Sequence, residues 1–280
     1  MRTENYYCVF MPFAHPFVKW AGGKRQLLPS LTKLLPKFNA YHEPFLGGGA
    51  LYLKLYNDEL IKKAYLTDYN KHLVLACDIV KNNLDELLNE LSSPRYKNDK
   101  ETYYEIRRSI PKDRVKQVAR FVYLNKTAFN GLYRVNSKGD FNVPFGKYKN
   151  PKIIDKLNLR LVSKALQKAE LNTGDFSIVL KQAKKDDLVY FDPPYLPVSK
   201  TSNFTSYTKN AFGKKDQLRL KETFDKLSQR GCYLMLSNSY HPYIEELYED
   251  YNQEIVYAGR AINCKGSGRG KIRELVIRNW

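Results

Sequence analysis

The chain has 280 residues, 43% of them apolar, which suits one large domain or one domain with an insertion. It contains no run of ~18 apolar residues, and its first twenty residues lack a long apolar segment and a small-residue cleavage site, so neither a membrane span nor a secretory signal is expected. Net charge is +18, and the segment from Arg95 to Arg160 alone holds 17 basic and 6 acidic residues, so a polyanion, most simply nucleic acid, is the expected partner.

In chain order, "PFVKWAGGKRQLLPSLTKLLP" predicts a glycine turn and then a helix with Leu27, Leu28, Leu31, Leu34 and Leu35 on one face. "AYHEPFLGGGALYLKLY" predicts strand, glycine loop and helix. "KKAYLTDYN" predicts a short strand ending at Asp68. From about Lys71 to Lys126 the apolar spacing is helical. "FNGLYRVNSKGDFNVPFGKYKNP" is turn-rich, basic and aromatic, with a hairpin turn at "NSKGD". After Pro151 a helix leads to the strand and turn of "AELNTGDF", followed by a helix to Lys185. "DLVYF" predicts a strand, the stretch to Gly231 a helix, "CYLMLSNS" a strand and "YHPYIEELYED" a helix. "QEIVYAG" and "IRELVIRNW" predict closing strands. Strands and helices alternate at both ends, which predicts an α/β fold with an open, mostly parallel sheet. Residues 1–70 and 160–280 would form that part, and the basic segment 71–159 would be an inserted, mainly helical module.

Ligands of such sheets bind beyond the carboxyl ends of the strands, where Glu43, Asp68 and Asp192 are all predicted to lie. Gly47, Gly48 and Gly49 let the chain turn tightly and let a ligand approach the backbone; alone, they serve equally as a plain turn. Their spacing is not that of a dinucleotide fingerprint, and no G-K-[ST] follows to make a P-loop. Asp68 can accept hydrogen bonds from ribose hydroxyls or can cap the next helix. With the glycines it suggests a nucleoside ligand. The most specific signal is "DPPY". Pro193 and Pro194 stiffen the backbone and remove two donors, leaving the Asp192 carboxylate and the prolyl carbonyls as acceptors. That surface suits a neutral amino group that must give up hydrogen bonds, and Tyr195 offers a face on which a base can stack. The four cysteines, Cys8, Cys77, Cys232 and Cys264, are far apart, which fits a reducing, cytoplasmic setting and predicts no metal site.

"FVKWAGGKRQLLP", "EPFLGGGA", "TDYN", "NGLYRVNSKGDFNVPFGKYKNP", "YFDPPY" and "LSNS" occur here in the order seen in DNA adenine-N6 methyltransferases, and the chain resembles their Dam type from about Pro16 to Trp280. DPPY is shared with relatives acting on cytosine N4, RNA or protein amides; the string from Asn130 to Pro151 narrows the likeness to enzymes that typically modify GATC. The resemblance implies a Rossmann-like methyltransferase fold, S-adenosylmethionine as cofactor and double-stranded DNA as partner. It implies cofactor contacts at Trp20 and Lys24, with Ala21, Gly22 and Gly23 between them, and at Glu43, Pro44, Phe45, the three loop glycines, Asp68 and Asp192. Catalysis would fall to Asp192, Pro193, Pro194 and Tyr195. DNA would meet Asn130, Leu132, Arg134, Asn136, Pro144, Lys147 and Tyr148. The position of Lys147 often holds arginine in this family, and lysine keeps the charge but not the bidentate geometry. A cognate restriction endonuclease would act independently. A methyltransferase for cytosine N4 or RNA, and a catalytically silent DNA-binding subunit, remain the alternatives.

Overall fold

The computed structural model describes residues 12–136, 138–195, 212–259 and 271–280, so Cys8 and Cys264 lie outside the described residues. Strands β1 (Tyr41–Glu43), β2 (Ala64–Asp68), β3 (Ala169–Thr173), β4 (Leu188–Phe191), β5 (Tyr233–Ser239), β6 (Asn252–Gly259) and β7 (Lys271–Arg278) form one sheet in the order β3-β2-β1-β4-β5-β7-β6. β1 to β5 run parallel; β7 is antiparallel to both β5 and β6. The chain leaves β1 outward to β2 and β3, then returns to place β4 on the other side of β1. The sheet therefore reverses its direction of growth between β1 and β4, which opens a crevice at their carboxyl ends.

Period-two alternation explains how the sheet is buried on both faces. Leu188 and Tyr190 of β4 enter one apolar cluster, together with Met235 and Val276. Val189 and Phe191 enter the other, with Leu234, Leu236, Leu275 and Ile277. The first cluster continues through Leu87, Val118 and Tyr123 of the helices after β2, so sheet and basic segment share buried contacts.

Helix α1 (Leu28–Lys33) follows the first glycine turn, and α2 (Ala50–Asn57) starts directly after Gly49. Then come α3 (Lys71–Asn82), α4 (Leu84–Leu91), α5 (Lys100–Arg108) and α6 (Arg114–Thr127). Asn70, Asp99 and Asp113 cap α3, α5 and α6 by accepting backbone N–H bonds. α7 (Lys156–Leu166) is capped in the same way by Asp155. The helix predicted to reach Lys185 is shorter: a 3-10 turn at Phe176–Ile178 leads into α8 (Val179–Gln182). It ends at Ala183, whose ψ of 139° is extended, and Arg230 donates to the freed carbonyls of Leu180 and Ala183, both at 2.7 Å. α9 (Lys214–Gln229) and α10 (Pro242–Leu247) complete the helices of the described residues. None of them is long and apolar enough to cross a membrane.

Between α6 and α7 the chain doubles back as predicted around "NSKGD". Isolated bridges join Ala128 to Phe145 and Val135 to Phe141, and the Asn136 N–H bonds the Asp140 carbonyl at 2.9 Å.

Candidate active site and nucleic-acid face

The first wall of the site is an irregular strap, residues 14–24, held by three asparagine amides rather than by sheet or helix. The side chain of Asn57 on α2 accepts from the Ala14 N–H at 3.0 Å and donates to the Ala14 carbonyl at 2.8 Å. Asn158 on α7 does the same to His15, at 3.0 and 2.9 Å. Asn125 on α6 does so to Lys19, at 2.7 Å in both directions. Asn125 is fully buried and Asn158 nearly so. An amide facing one residue's N–H and C=O satisfies both groups, so three such pairs fix the strap where no ladder is available.

The strap delivers Trp20 and Lys24 to the crevice. Trp20 stacks on Tyr133 at 5.6 Å between centroids. It also packs on the glycine loop: a Cβ on Gly47, whose φ is +50°, would lie 3.0 Å from Trp20 Cδ1. Glycine is needed there for both the turn and the close approach. Lys24, buried to 6% exposure, donates to the Gly22 carbonyl at 2.7 Å and pairs with Asp192 Oδ1 at 2.8 Å. Its ammonium also lies 4.8 Å from the Tyr195 ring centroid. Lys24, before β1, and Asp192, after β4, thus meet in one ion pair although they are far apart in the chain.

Three carboxyl groups converge at this edge. Glu43 ends β1, and its Oε2 accepts the Tyr41 hydroxyl at 3.0 Å. Burial lifts its pKa to about 8, against the hydrogen bond from Tyr41, with Asp192 and Asp68 adding repulsion. Asp68 ends β2 and accepts the N–H of Gly47 at 2.9 Å and of Asn70 at 2.8 Å. Burial raises it too, opposed by those two bonds. It does not cap α3; the Asn70 side chain does. Asp192 follows β4, and burial lifts its pKa to about 6, with Lys24 pulling it down and Glu274 pushing it up. At neutral pH it is mostly the anion and a hydrogen-bond acceptor.

The DPPY backbone has a buried support that the sequence did not reveal. Gln217 on α9 donates to the Pro194 carbonyl at 3.4 Å, and Asn238 at the end of β5 donates to Gln217 at 3.2 Å. Both amides are fully buried. Asn238 lies in the "LSNS" string; Gln217 carries no sequence signal beyond being a polar residue on an apolar helix face.

The basic face is built on the hairpin after α6. Asn130 is exposed with φ +53°, and Leu132 is partly buried against the core. Arg134 is exposed and donates to Asn142 Oδ1 at 2.7 Å, which holds its guanidinium across the hairpin. The Asn136 side chain closes the turn, accepting from the N–H groups of Lys138 at 3.0 Å and Asp140 at 2.9 Å. Pro144 is exposed while its carbonyl accepts the Phe129 N–H at 2.9 Å. Lys147 is exposed with φ +54°, and the Tyr148 carbonyl is tied to Asn98 at 2.7 Å. Lys19, not singled out from the sequence, joins this group: its ammonium lies 4.4 Å from the Tyr148 ring centroid. A Cβ on Gly131 would lie 2.2 Å from Lys19 Cδ, so the strap and the hairpin touch. Among the described residues no group of three or more His, Cys, Asp or Glu side chains could hold a metal ion.

The fold thus brings a stiff acceptor and an aromatic ring together, next to a glycine loop and a basic hairpin. The family model for D12 class N6 adenine-specific DNA methyltransferases matches residues 20–262. The type II methyltransferase M.MjaIII of Methanocaldococcus jannaschii is 48% identical over 95% of this chain and 99% of its own. M1.LlaDCHI of Lactococcus lactis subsp. cremoris is 44% identical over 95% of each chain. The DNA adenine methylase of Escherichia coli K12 is 36% identical over 93% of each. The chain belongs to the D12 class of N6 adenine-specific DNA methyltransferases. It is an enzyme, and its substrate is DNA.

Proposed function

We propose that the chain moves a methyl group from S-adenosylmethionine to adenine N6 within GATC in duplex DNA. The observation that carries this reading is the meeting of Asp192, Tyr195 and Lys24 beside the glycine loop, within one strap's length of the basic hairpin. The residues present fit the cofactor. Asp68, fixed by two backbone N–H groups, presents a carboxylate suited to ribose hydroxyls. Trp20 packed on Gly47 makes an apolar wall, and buried Glu43 supplies a carboxyl group suited to an ammonium. When bound, S-adenosylmethionine supplies an electrophilic sulfonium methyl.

The protein's own groups do the rest. The amine of adenine is a poor nucleophile because its lone pair is delocalised into the ring. The Asp192 carboxylate and the Pro193 carbonyl accept its two N–H bonds and draw it towards tetrahedral geometry, freeing the lone pair. This is positioning and electrostatics, with no metal needed. A base inside a duplex must be flipped out, at a cost of a few kcal/mol. Stacking on Tyr195, worth ~1–3 kcal/mol, offsets much of it. Lys24 keeps Asp192 ionised near neutral pH and must yield part of its contact when the amine arrives.

In this reading residues 71–159 are the target-recognition module, Arg134 reads a base, and Lys147 and Lys149 hold phosphates. The Asn142 contact supports that role for Arg134, since it holds the guanidinium at the exposed face of the hairpin. That two relatives are type II methyltransferases supports a partner endonuclease that acts independently. A DNA substrate and the free buried thiols of Cys77 and Cys232 support a cytoplasmic setting. The deciding experiment is sequencing of modified bases in DNA incubated with the protein and S-adenosylmethionine. N6-methyladenine inside GATC is expected; methyl groups on cytosine or RNA, or none at all, overturn the reading.

A further inference from the structure

Glu274 enters the site from the far end of the chain. Because β7 is antiparallel, its early residues lie at the carboxyl edge of the parallel strands, and Glu274 is paired with Ser239, the last residue of β5. There its Oε2 accepts the Tyr195 hydroxyl at 2.6 Å, a short bond of the charge-assisted kind. Tyr195 follows two prolines and contacts Lys24 on its ring. Its hydroxyl is the ring's one polar handle, and Glu274 holds it. We propose that Glu274 is a positioning residue for methyl transfer: it locks the Tyr195 ring in the orientation that receives the flipped base, and it places a second negative charge beside Asp192. The proposal rests on the function given above.

The charge matters because of what else faces Asp192. Lys24 comes from the strap, Glu43 and Tyr41 from β1, Tyr190 from β4, Tyr195 from the same loop and Glu274 from β7. Lys24 is the one cation of this set and favours the Asp192 anion; Glu274 opposes it. Glu274 therefore tunes how firmly Asp192 holds its proton, as well as where the ring sits. A carboxylate here makes the acceptor more basic than the Lys24 contact alone would allow.

The test is a double-mutant cycle on the full chain with DNA and S-adenosylmethionine, reading kcat, KM for each substrate and the pH profile. Tyr195→Phe and Glu274→Ala should each lower kcat about 10-fold with KM for S-adenosylmethionine unchanged. At pH 8, where Asp192 is ionised in every variant, the double variant should lose no more than Glu274→Ala alone, because the Tyr195 contact is already gone in that single variant. Glu274→Gln keeps an oxygen for the Tyr195 hydroxyl, so it should retain most of kcat near pH 8. Its acid limb should move to lower pH, since Asp192 then gives up its proton more easily. Equal unfolding midpoints of wild type and Glu274→Gln show that the fold is intact, so the limb shift tests the idea even if Glu274→Ala unfolds. Losses that multiply in the double variant, or an unmoved acid limb in Glu274→Gln, overturn it. Methylation of cytosine or RNA by the wild type would defeat the proposed function instead. The Tyr195–Glu274 coupling would still be measured in whichever acceptor takes the methyl group.

Discussion

Replacing Glu43 by glutamine should make the cofactor-free protein more stable and its cofactor binding weaker. In the folded protein burial lifts the Glu43 pKa from the usual 4.5 to about 8, so folding near neutrality requires the carboxyl group to take up a proton. The sign follows from linkage: a raised carboxyl pKa costs stability as pH rises, with the loss growing between about pH 4.5 and pH 8. Over that span the cost of protonation is about 1 kcal/mol at pH 5 and about 3 kcal/mol at pH 7 as an upper limit. Glutamine carries no such cost and keeps an oxygen for the Tyr41 hydroxyl, which now bonds Glu43 at 3.0 Å. Urea unfolding of both proteins at the two pH values measures the gap. The variant should be ahead at both, and further ahead at pH 7. A variant equal to or less stable than wild type at pH 7 would refute the argument that Glu43 is buried at an energetic cost. Calorimetric titration with S-adenosylmethionine then shows what that cost sustains.

Asp192→Asn should abolish methyl transfer while far-ultraviolet circular dichroism stays unchanged, because the amide loses the negative charge and keeps a single acceptor oxygen, for which Lys24, now at 2.8 Å from the carboxylate, and the amine would compete; wild-type turnover would sink the role. Asp68→Ala should weaken S-adenosylmethionine binding by ~1–3 kcal/mol in calorimetry, with DNA affinity in the absence of cofactor little changed. Unchanged cofactor affinity would leave Asp68 as a support for Gly47 alone. Arg134→Ala should cost ~1–3 kcal/mol on GATC and relax discrimination at one base pair, measured as methylation rates on single-base variants. A uniform loss, with the salt slope reduced by about 1, would make it a phosphate contact.

Local patterns made much of this molecule legible. β4 is a continuous apolar run because it is covered on both faces, and "LVYF" says so without help from elsewhere. The glycine loop, the Asp68 strand end and the stiff DPPY step are likewise short-range signals, and the topology brings them to one edge. What stayed hidden depends on partners far along the chain. Asn125 reads as one polar residue on a helix until its amide meets Lys19, 106 positions earlier. Glu274 reads as a charge in a closing strand until the antiparallel pairing of β7 with β5 brings it to Tyr195, 79 positions before it. The helix after Phe176 ends early, at Ala183, and its last carbonyls are met by Arg230, about fifty residues further on, a partner that no local propensity reports.

The asparagine-held strap bears on how such enzymes can diversify. Lys19 packs on Gly131 and Tyr148 of the basic hairpin, while five residues later Lys24 pairs with the DPPY aspartate. Under the function proposed above, target reading and methyl transfer would share one stretch of backbone, whose bracing amides come from α2, α6 and α7 together. On the same reading, a hairpin grafted from another methyltransferase would arrive without the strap surface it rests on, and the Lys24–Asp192 pair five residues along that strap would be disturbed with it. On that reading, exchange of specificity would have to transplant the hairpin, the strap and the three amides as a set, although the amides lie 43, 106 and 143 residues from the strap positions they brace.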